Sequence, residues 1–202
     1  MPLDRGAATG KSPHFLRISN RDDPGRYVGW NPSQLPAPVA FRPATRVSPG
    51  DSAAFWSILR KMETDIGISL FVPAVLPPDS DPVDVIIVDV RRFGPADGMT
   101  MATWSTNGML YDARVNFRSV DRLRNSRIVT HEMMHALGFG HTSAWRSVMN
   151  SSTQSVEQLT LEDVAYAQLA FQSRASSELF DFWERLTLAG FVRAPDTPRL
   201  TR

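Results

Sequence analysis

Residues 131–141 read His-Glu-Met-Met-His-Ala-Leu-Gly-Phe-Gly-His. Three imidazoles, one carboxylate and one glycine stand at the offsets H-E-x-x-H-x-x-G-x-x-H, a spacing that builds a zinc site with an open coordination position. Three of the chain's four histidines lie within it. On a helix, His131 and His135 are separated by a rise of about 6 Å and a rotation of about 400°, so both leave one face and can share an ion. Glu132 is turned about 100° from His131, which aims it at a water on the metal rather than at the metal. A straight helix would carry later residues away. Gly138 is therefore expected at positive φ, ending the helix and turning the chain. His141 then returns to the ion as the third ligand. Three neutral nitrogens suit one catalytic Zn2+ and leave its fourth place to water. The expected chemistry is attack by a zinc-activated water, with Glu132 as general base and then general acid. H-E-x-x-H alone also occurs on ordinary helices; Gly138 and His141 separate this stretch from them.

The elements that must position these residues follow from periodicity and punctuation. Residues 1–37 are polar and broken by Pro and Gly, which reads as an arm or the remnant of a pro-segment. His14 is expected on the surface of that arm. Val39 to Arg42 reads as a short strand bounded by prolines. Ser48-Pro49-Gly50-Asp51 starts a helix, with Ser48 as cap, and Phe55, Ile58, Leu59, Met62 and Ile66 follow at helical spacing. Ser69–Val75 is a second strand. Asp84–Val90 is a β-branched run, expected as a buried central strand. Met99–Thr106 is a fourth strand, Asn107-Gly108 a tight hairpin, and Met109–Arg118 a strand of clear alternation. The metal helix is expected from about Asn125 to Leu137. Thr160-Leu161-Glu162-Asp163 caps a later helix. Residues 176–188 continue as an amphipathic helix, and the tail beyond Gly190 is expected to be loose.

Composition narrows the function classes. The chain has 202 residues, 42% of them apolar, enough for one packed domain with extensions. A net charge of +1 offers no basic stripe for nucleic acid. No apolar run is long enough for a membrane span. The start, Met1-Pro2-Leu3-Asp4-Arg5-Gly6, is not followed by the apolar core of a signal peptide. The expected location is secreted or periplasmic with the leader absent from this chain, with the cytoplasm as alternative. There is no cysteine, so no disulfide and no thiolate metal ligand.

Eight residues past His141 stands Met149. With that methionine the chain resembles a metzincin zinc metallopeptidase, and over residues 38–172 it looks like a matrixin-type catalytic domain. The resemblance implies an α+β fold: a mixed five-stranded twisted sheet, a long helix, the metal helix, a Met-turn at Met149 forming an apolar floor under the metal, and a closing helix similar to Thr160–Phe171. It implies that Met99, Thr100, Met101, Ala102, Thr103 and Trp104 form the cleft-side edge strand, to which an extended peptide adds as a further strand. The chain departs from the family where Arg91–Asp97 holds no histidine for a second, structural zinc, and where Asn150-Ser151-Ser152 does not match the segment after the Met-turn. Asp97 with loop carbonyls could bind Ca2+. Asp22 or Asp23 could cap the metal in a latent state. Residues 173–202 lie beyond the family's usual end; their Phe180, Phe182, Trp183 and Phe191 are expected to pack on the domain itself.

The function expected is a zinc-dependent endopeptidase acting on proteins or peptides as a monomer. The alternatives are a peptide-binding zincin module without turnover and a zinc hydrolase of a non-peptide amide.

Overall fold

Ser48 starts the longest described helix as its sequence predicts: the hydroxyl accepts from the Asp51 amide at 3.1 Å, Pro49 follows, and Gly67 ends the helix at φ 78°. This helix belongs to a computed structural model that describes residues 14–15, 29–30, 32–77, 83–105, 109–141, 146–151 and 156–175. In chain order the elements are β1 (His14–Phe15), β2 (Gly29–Trp30), a 3-10 turn (Pro32–Gln34), β3 (Ala37–Phe41), α1 (Pro49–Ile66), β4 (Phe71–Pro73), β5 (Val85–Val90), β6 (Gly98–Trp104), β7 (Met109–Phe117), a second 3-10 turn (Val120–Arg124), α2 (Ser126–Ala136), β8 (Phe139–Gly140) and α3 (Leu161–Ala175). The described residues form an α+β fold with a mostly parallel sheet and three α-helices.

The sheet runs β4-β3-β5-β7, all parallel, and β6 closes the far edge antiparallel to β7. β2 adds two residues beside the start of β7, so the sheet counts six strands rather than the five expected. The Ser69–Val75 strand shrinks to Phe71–Pro73; Glu63 of α1 fixes its start, Oε1 accepting from the amides of Leu70 and Phe71 at 2.7 and 2.8 Å. β5 explains its unbroken apolar run. Ile86 and Val88 face the main core with α1, while Val85 and Ile87 bury the opposite face with Ala40 and Leu76. α1 inserts Phe55, Leu59, Met62 and Ile66, with Phe55 edge-on to Phe41 and Phe117 at 5.2 and 6.3 Å. β6 and β7 pair antiparallel as a hairpin would, but residues 107–108 lie outside those described, as do 176–188 and the aromatics of the C-terminal extension.

Several links tie the described part of residues 1–37 to the rest of the fold, among them β2 on β7 and Gln34 Nε2 donating to Asp84 Oδ1 at 3.1 Å. β1 pairs antiparallel with β8, His14 opposite Gly140 and Phe15 opposite Phe139. Trp30 is fully buried and its indole N–H donates to the Ala136 carbonyl at 2.8 Å. That carbonyl belongs to the last turn of α2, where no helical partner exists. The surrounding polar residues hide this role from the sequence. Trp30→Ala is expected to destabilise the fold by about 3–5 kcal/mol. Trp30→Phe, which keeps most of the ring but loses the bond, should cost about 1 kcal/mol more than its lost volume alone. Urea unfolding of both variants checks this; a wild-type midpoint for Trp30→Ala would show that the indole does not hold α2.

Candidate metal centre

α2 exists because Asn125 caps it and because its apolar residues share a face. The Asn125 side chain accepts from the Ile128 amide at 3.0 Å, and Val129, Met133, Met134 and Ala136 are buried. The opposite side of the same turns carries His131 and His135. Gly138 sits at φ 99° and its amide bonds back to the His135 carbonyl at 2.9 Å, so the chain leaves the helix there. β8 follows, and His141 comes next.

The three imidazoles converge. The Nε2 atoms of His131, His135 and His141 lie 3.1–3.2 Å from one another. Among the described residues they are the one group of three or more potential ligands drawn this close. Nδ1 of His131 donates to the Val148 carbonyl at 2.8 Å, and Nδ1 of His135 donates to the Phe139 carbonyl at 2.6 Å. A carbonyl only accepts, so these Nδ1 atoms carry the ring protons and the facing Nε2 atoms present lone pairs. Lone pairs gathered this tightly repel unless a cation lies among them. Tetrahedral bonds of about 2.0–2.1 Å require nitrogens about 3.3 Å apart. The donor set and its carbonyl partners thus fit a zinc-type ion.

Burial reinforces the neutral state. It pushes the His131 imidazole down to about 4 and His135 down to about 3, and lowers His141 as well. Neighbouring imidazoles push His131 and His135 the same way, and their carbonyl partners oppose it.

Glu132 lies beside this group in one cleft of roughly 500 Å3, which His131, His135 and His141 also line. Burial pushes its carboxyl up to about 7, against the opposing pull of a hydrogen bond from Thr100. The Thr100 hydroxyl lies 2.7 Å from Glu132 Oε2 and 3.0 Å from the Glu132 carbonyl. Gly98 explains how β6 comes so near. A Cβ there would fall 2.6 Å from Glu132 Cγ and Oε1. Of the proposed edge-strand residues, Met99 and Thr100 line the cleft with Gly98, whereas Met101, Ala102, Thr103 and Trp104 run on along β6 away from it.

Met149 is fully buried in a turn closed by the Asn150 amide on the Ser147 carbonyl at 3.1 Å. Asp163 holds that turn. Its buried carboxylate accepts from the Ser147 hydroxyl at 2.7 Å and the Val148 amide at 3.3 Å. It also accepts from the Thr160 amide at 3.1 Å, while its own amide donates to the Thr160 hydroxyl at 3.2 Å, which completes the cap of α3. One carboxylate therefore ties α3 to the turn whose Val148 carbonyl orients His131.

Sequence reasoning missed Gly98, the Thr100 hydroxyl as a partner of Glu132, and the second task of Asp163. An isolated glycine at the head of a strand was the available signal for the first. Asp97 meets Arg122 at 3.1 Å rather than joining other carboxylates. Asp22 and Asp23 lie outside the described residues.

The shifts predict a pH signature for metal-free protein. Unfolded imidazoles charge below about 6.5, whereas His131 and His135 in the fold stay neutral down to about 4 and about 3. The unfolded chain binds more protons in that window, so stability is lost as pH falls from about 6.5 towards 4. Glu132 acts oppositely: its folded carboxyl keeps a proton up to about 7 against 4.5 unfolded, which lowers stability as pH rises through that interval. His141 shifts with the other two imidazoles and the buried Asp163 carboxyl with Glu132, and the large His131 and His135 shifts leave a net loss of stability on acidification. Thermal melts of chelator-treated protein between about pH 7 and 4.5 measure it. A melting temperature that rises on acidification would contradict the burial of the imidazoles.

No family model matches this chain, and no curated protein matches it either.

Proposed function

We propose that this chain is a zinc-dependent endopeptidase of metzincin type, hydrolysing peptide bonds in proteins or peptides. The observation that carries the reading is the convergence of three Nε2 atoms at 3.1–3.2 Å with a buried carboxylate, Glu132, in the same cleft. Further support comes from the mixed sheet whose antiparallel edge borders the cleft, the turn at Gly138, the buried Met149 turn and the closing helix α3, features that the matrixin-like resemblance implies.

His131, His135 and His141 would hold the ion. A zinc ion there supplies Lewis acidity, lowering the pKa of a bound water and polarising a carbonyl. Glu132 takes the proton of the attacking water and returns it to the departing amine. Its Oε2 is engaged by the Thr100 hydroxyl, which leaves Oε1 for that exchange. Thr100 thereby fixes the carboxylate against the strand that receives substrate. One side of β6 pairs with β7, and no described strand pairs with its other side, where an extended peptide can add main-chain hydrogen bonds. A carboxylate raised towards neutral pH suits a group that must accept and then release a proton.

The test is cleavage of a pool of quenched peptides by zinc-loaded protein, beside chelator-treated protein and the Glu132→Ala variant. Cleavage lost in both controls supports the reading. No cleavage by protein carrying one zinc per chain overturns it in favour of a binding module. Among the described residues, no helix is long and apolar enough to cross a membrane.

A further inference from the structure

The rim of the cleft has a basic neighbour. A cavity of roughly 600 Å3 opens between the loop after β5 and the loop after β7, lined by Arg92, Phe93, Gly94, Arg118, Ser119 and Arg122. It shares a wall with the cleft. Pro95, Ala96 and Asp97, which border the cleft, are fastened from the cavity side. Arg118 donates through Nη1 to the Pro95 carbonyl at 3.1 Å and through its amide to the Asp97 carbonyl at 3.0 Å. Arg122 meets the Asp97 carboxylate at 3.1 Å and Asp121 at 3.9 Å. Arg92 and Arg118 are exposed and have no carboxylate partner among the described residues. Among the described residues the cavity therefore keeps two guanidiniums that no carboxylate neutralises, Arg92 and Arg118, the latter with one Nη1 bond already given to the Pro95 carbonyl. They stand off the Gly98 end of β6, the end that touches Glu132.

We propose that this arginine cavity binds a carboxylate of the peptide being cut, and so selects substrates with an acidic residue on one side of the scissile bond. The proposal rests on the peptidase reading. A peptide paired along β6 beside Glu132 and leaving past Gly98 must run over Pro95–Asp97. Each further residue advances the peptide by about 3.3 Å towards the cavity, so its side chains meet the arginines at a fixed offset from the bond attacked. A guanidinium fork matches a carboxylate with two parallel hydrogen bonds. Lysine at the same substrate position would meet like charge, so the cavity rejects as well as selects.

The experiment uses zinc-loaded full-length protein and C-terminally amidated decapeptides in which one glutamate, or a glutamine in its place, is walked along an otherwise fixed sequence. An unamidated peptide without acidic side chains tests whether a terminal carboxylate serves equally. The expected result is an increase in kcat/KM of about three- to tenfold for glutamate over glutamine at one offset, on one side of the cut, fading in about 0.5 M salt. The double variant Arg92→Glu/Arg118→Glu should reverse the preference towards lysine, and Arg92→Gln/Arg118→Gln should erase it. A second arm measures retention of the same peptides on immobilised, zinc-loaded Glu132→Ala protein, with and without the arginine changes. Equal handling of glutamate and glutamine in both arms overturns the proposal, as does a preference that survives both arginine variants. If nothing is cleaved but retention favours glutamate and reverses with the charge swap, the cavity assignment stands and the peptidase reading falls.

Discussion

Glu132→Ala is expected to bind zinc at wild-type stoichiometry and to lose peptide hydrolysis by about 100- to 10,000-fold, the range that a positioned proton-transfer group contributes. The two halves of this expectation have separate origins. Metal retention follows because the converging ligands are three imidazoles, whose ring positions are set by the Val148 and Phe139 carbonyls and not by Glu132. Loss of turnover follows because the carboxylate is the cleft's proton acceptor nearest the ligands on α2. Glu132→Gln separates chemistry from packing. The amide fills the same space against Gly98 and can still accept from Thr100, yet it cannot take a proton. Both variants should therefore fail alike in turnover at wild-type zinc content, and Glu132→Gln, which removes a buried ionisable group, should melt no lower than wild type. Turnover retained in Glu132→Gln would remove the carboxylate from its assigned role.

His141→Ala is expected to weaken zinc binding by more than about 100-fold, beyond the 10- to 100-fold that loss of a ligand's hydrogen-bond partner costs. Two nitrogen ligands then remain, both on α2. His141 is the most exposed of the three, and it follows β8 rather than sitting within a helix. Removing it leaves the Gly138 turn and the buried Phe139 in place, so the metal-free fold should melt as wild type does. Competition with a chromogenic chelator measures the affinity, and the melting curve of chelated protein is the control. Unchanged zinc affinity would mean that a different residue completes the shell.

The parts that sequence made legible are those governed by local rules. Ser48 and Pro49 mark the start of α1, Asn125 through Leu137 brackets α2 to within a residue at each end, and the spacing of His131, His135, Gly138 and His141 foretells their convergence. Each is decided within one helical turn or one tight bend. What stayed hidden depends on partners far away in the chain. Thr100 and Glu132 are 32 residues apart, and Trp30 reaches across 106 residues to Ala136. No periodicity encodes such pairs, because they form only once β6 packs on α2 and β2 on β7. The arginine cavity is hidden for the same reason: residues 92–94 and 118–122 become neighbours only through the pairing of β5 with β7.

Asp163 has a consequence for how this cleft can change. It clamps residues 147–148 at one end and Thr160 at the other, so both ends of the stretch between them are pinned. Ser151, in that stretch, borders the cleft. Lengthening a loop with fixed ends costs little, about 0.6 kcal/mol per doubling. Insertions between the two pinned ends can therefore leave the Val148 carbonyl that orients His131 undisturbed, so long as Val156 and Leu159 keep their packing on the core. Variation beside Ser151 would remodel the cleft wall while the three converging imidazoles stay put, so the lining of the cleft can change independently of the cluster at its floor.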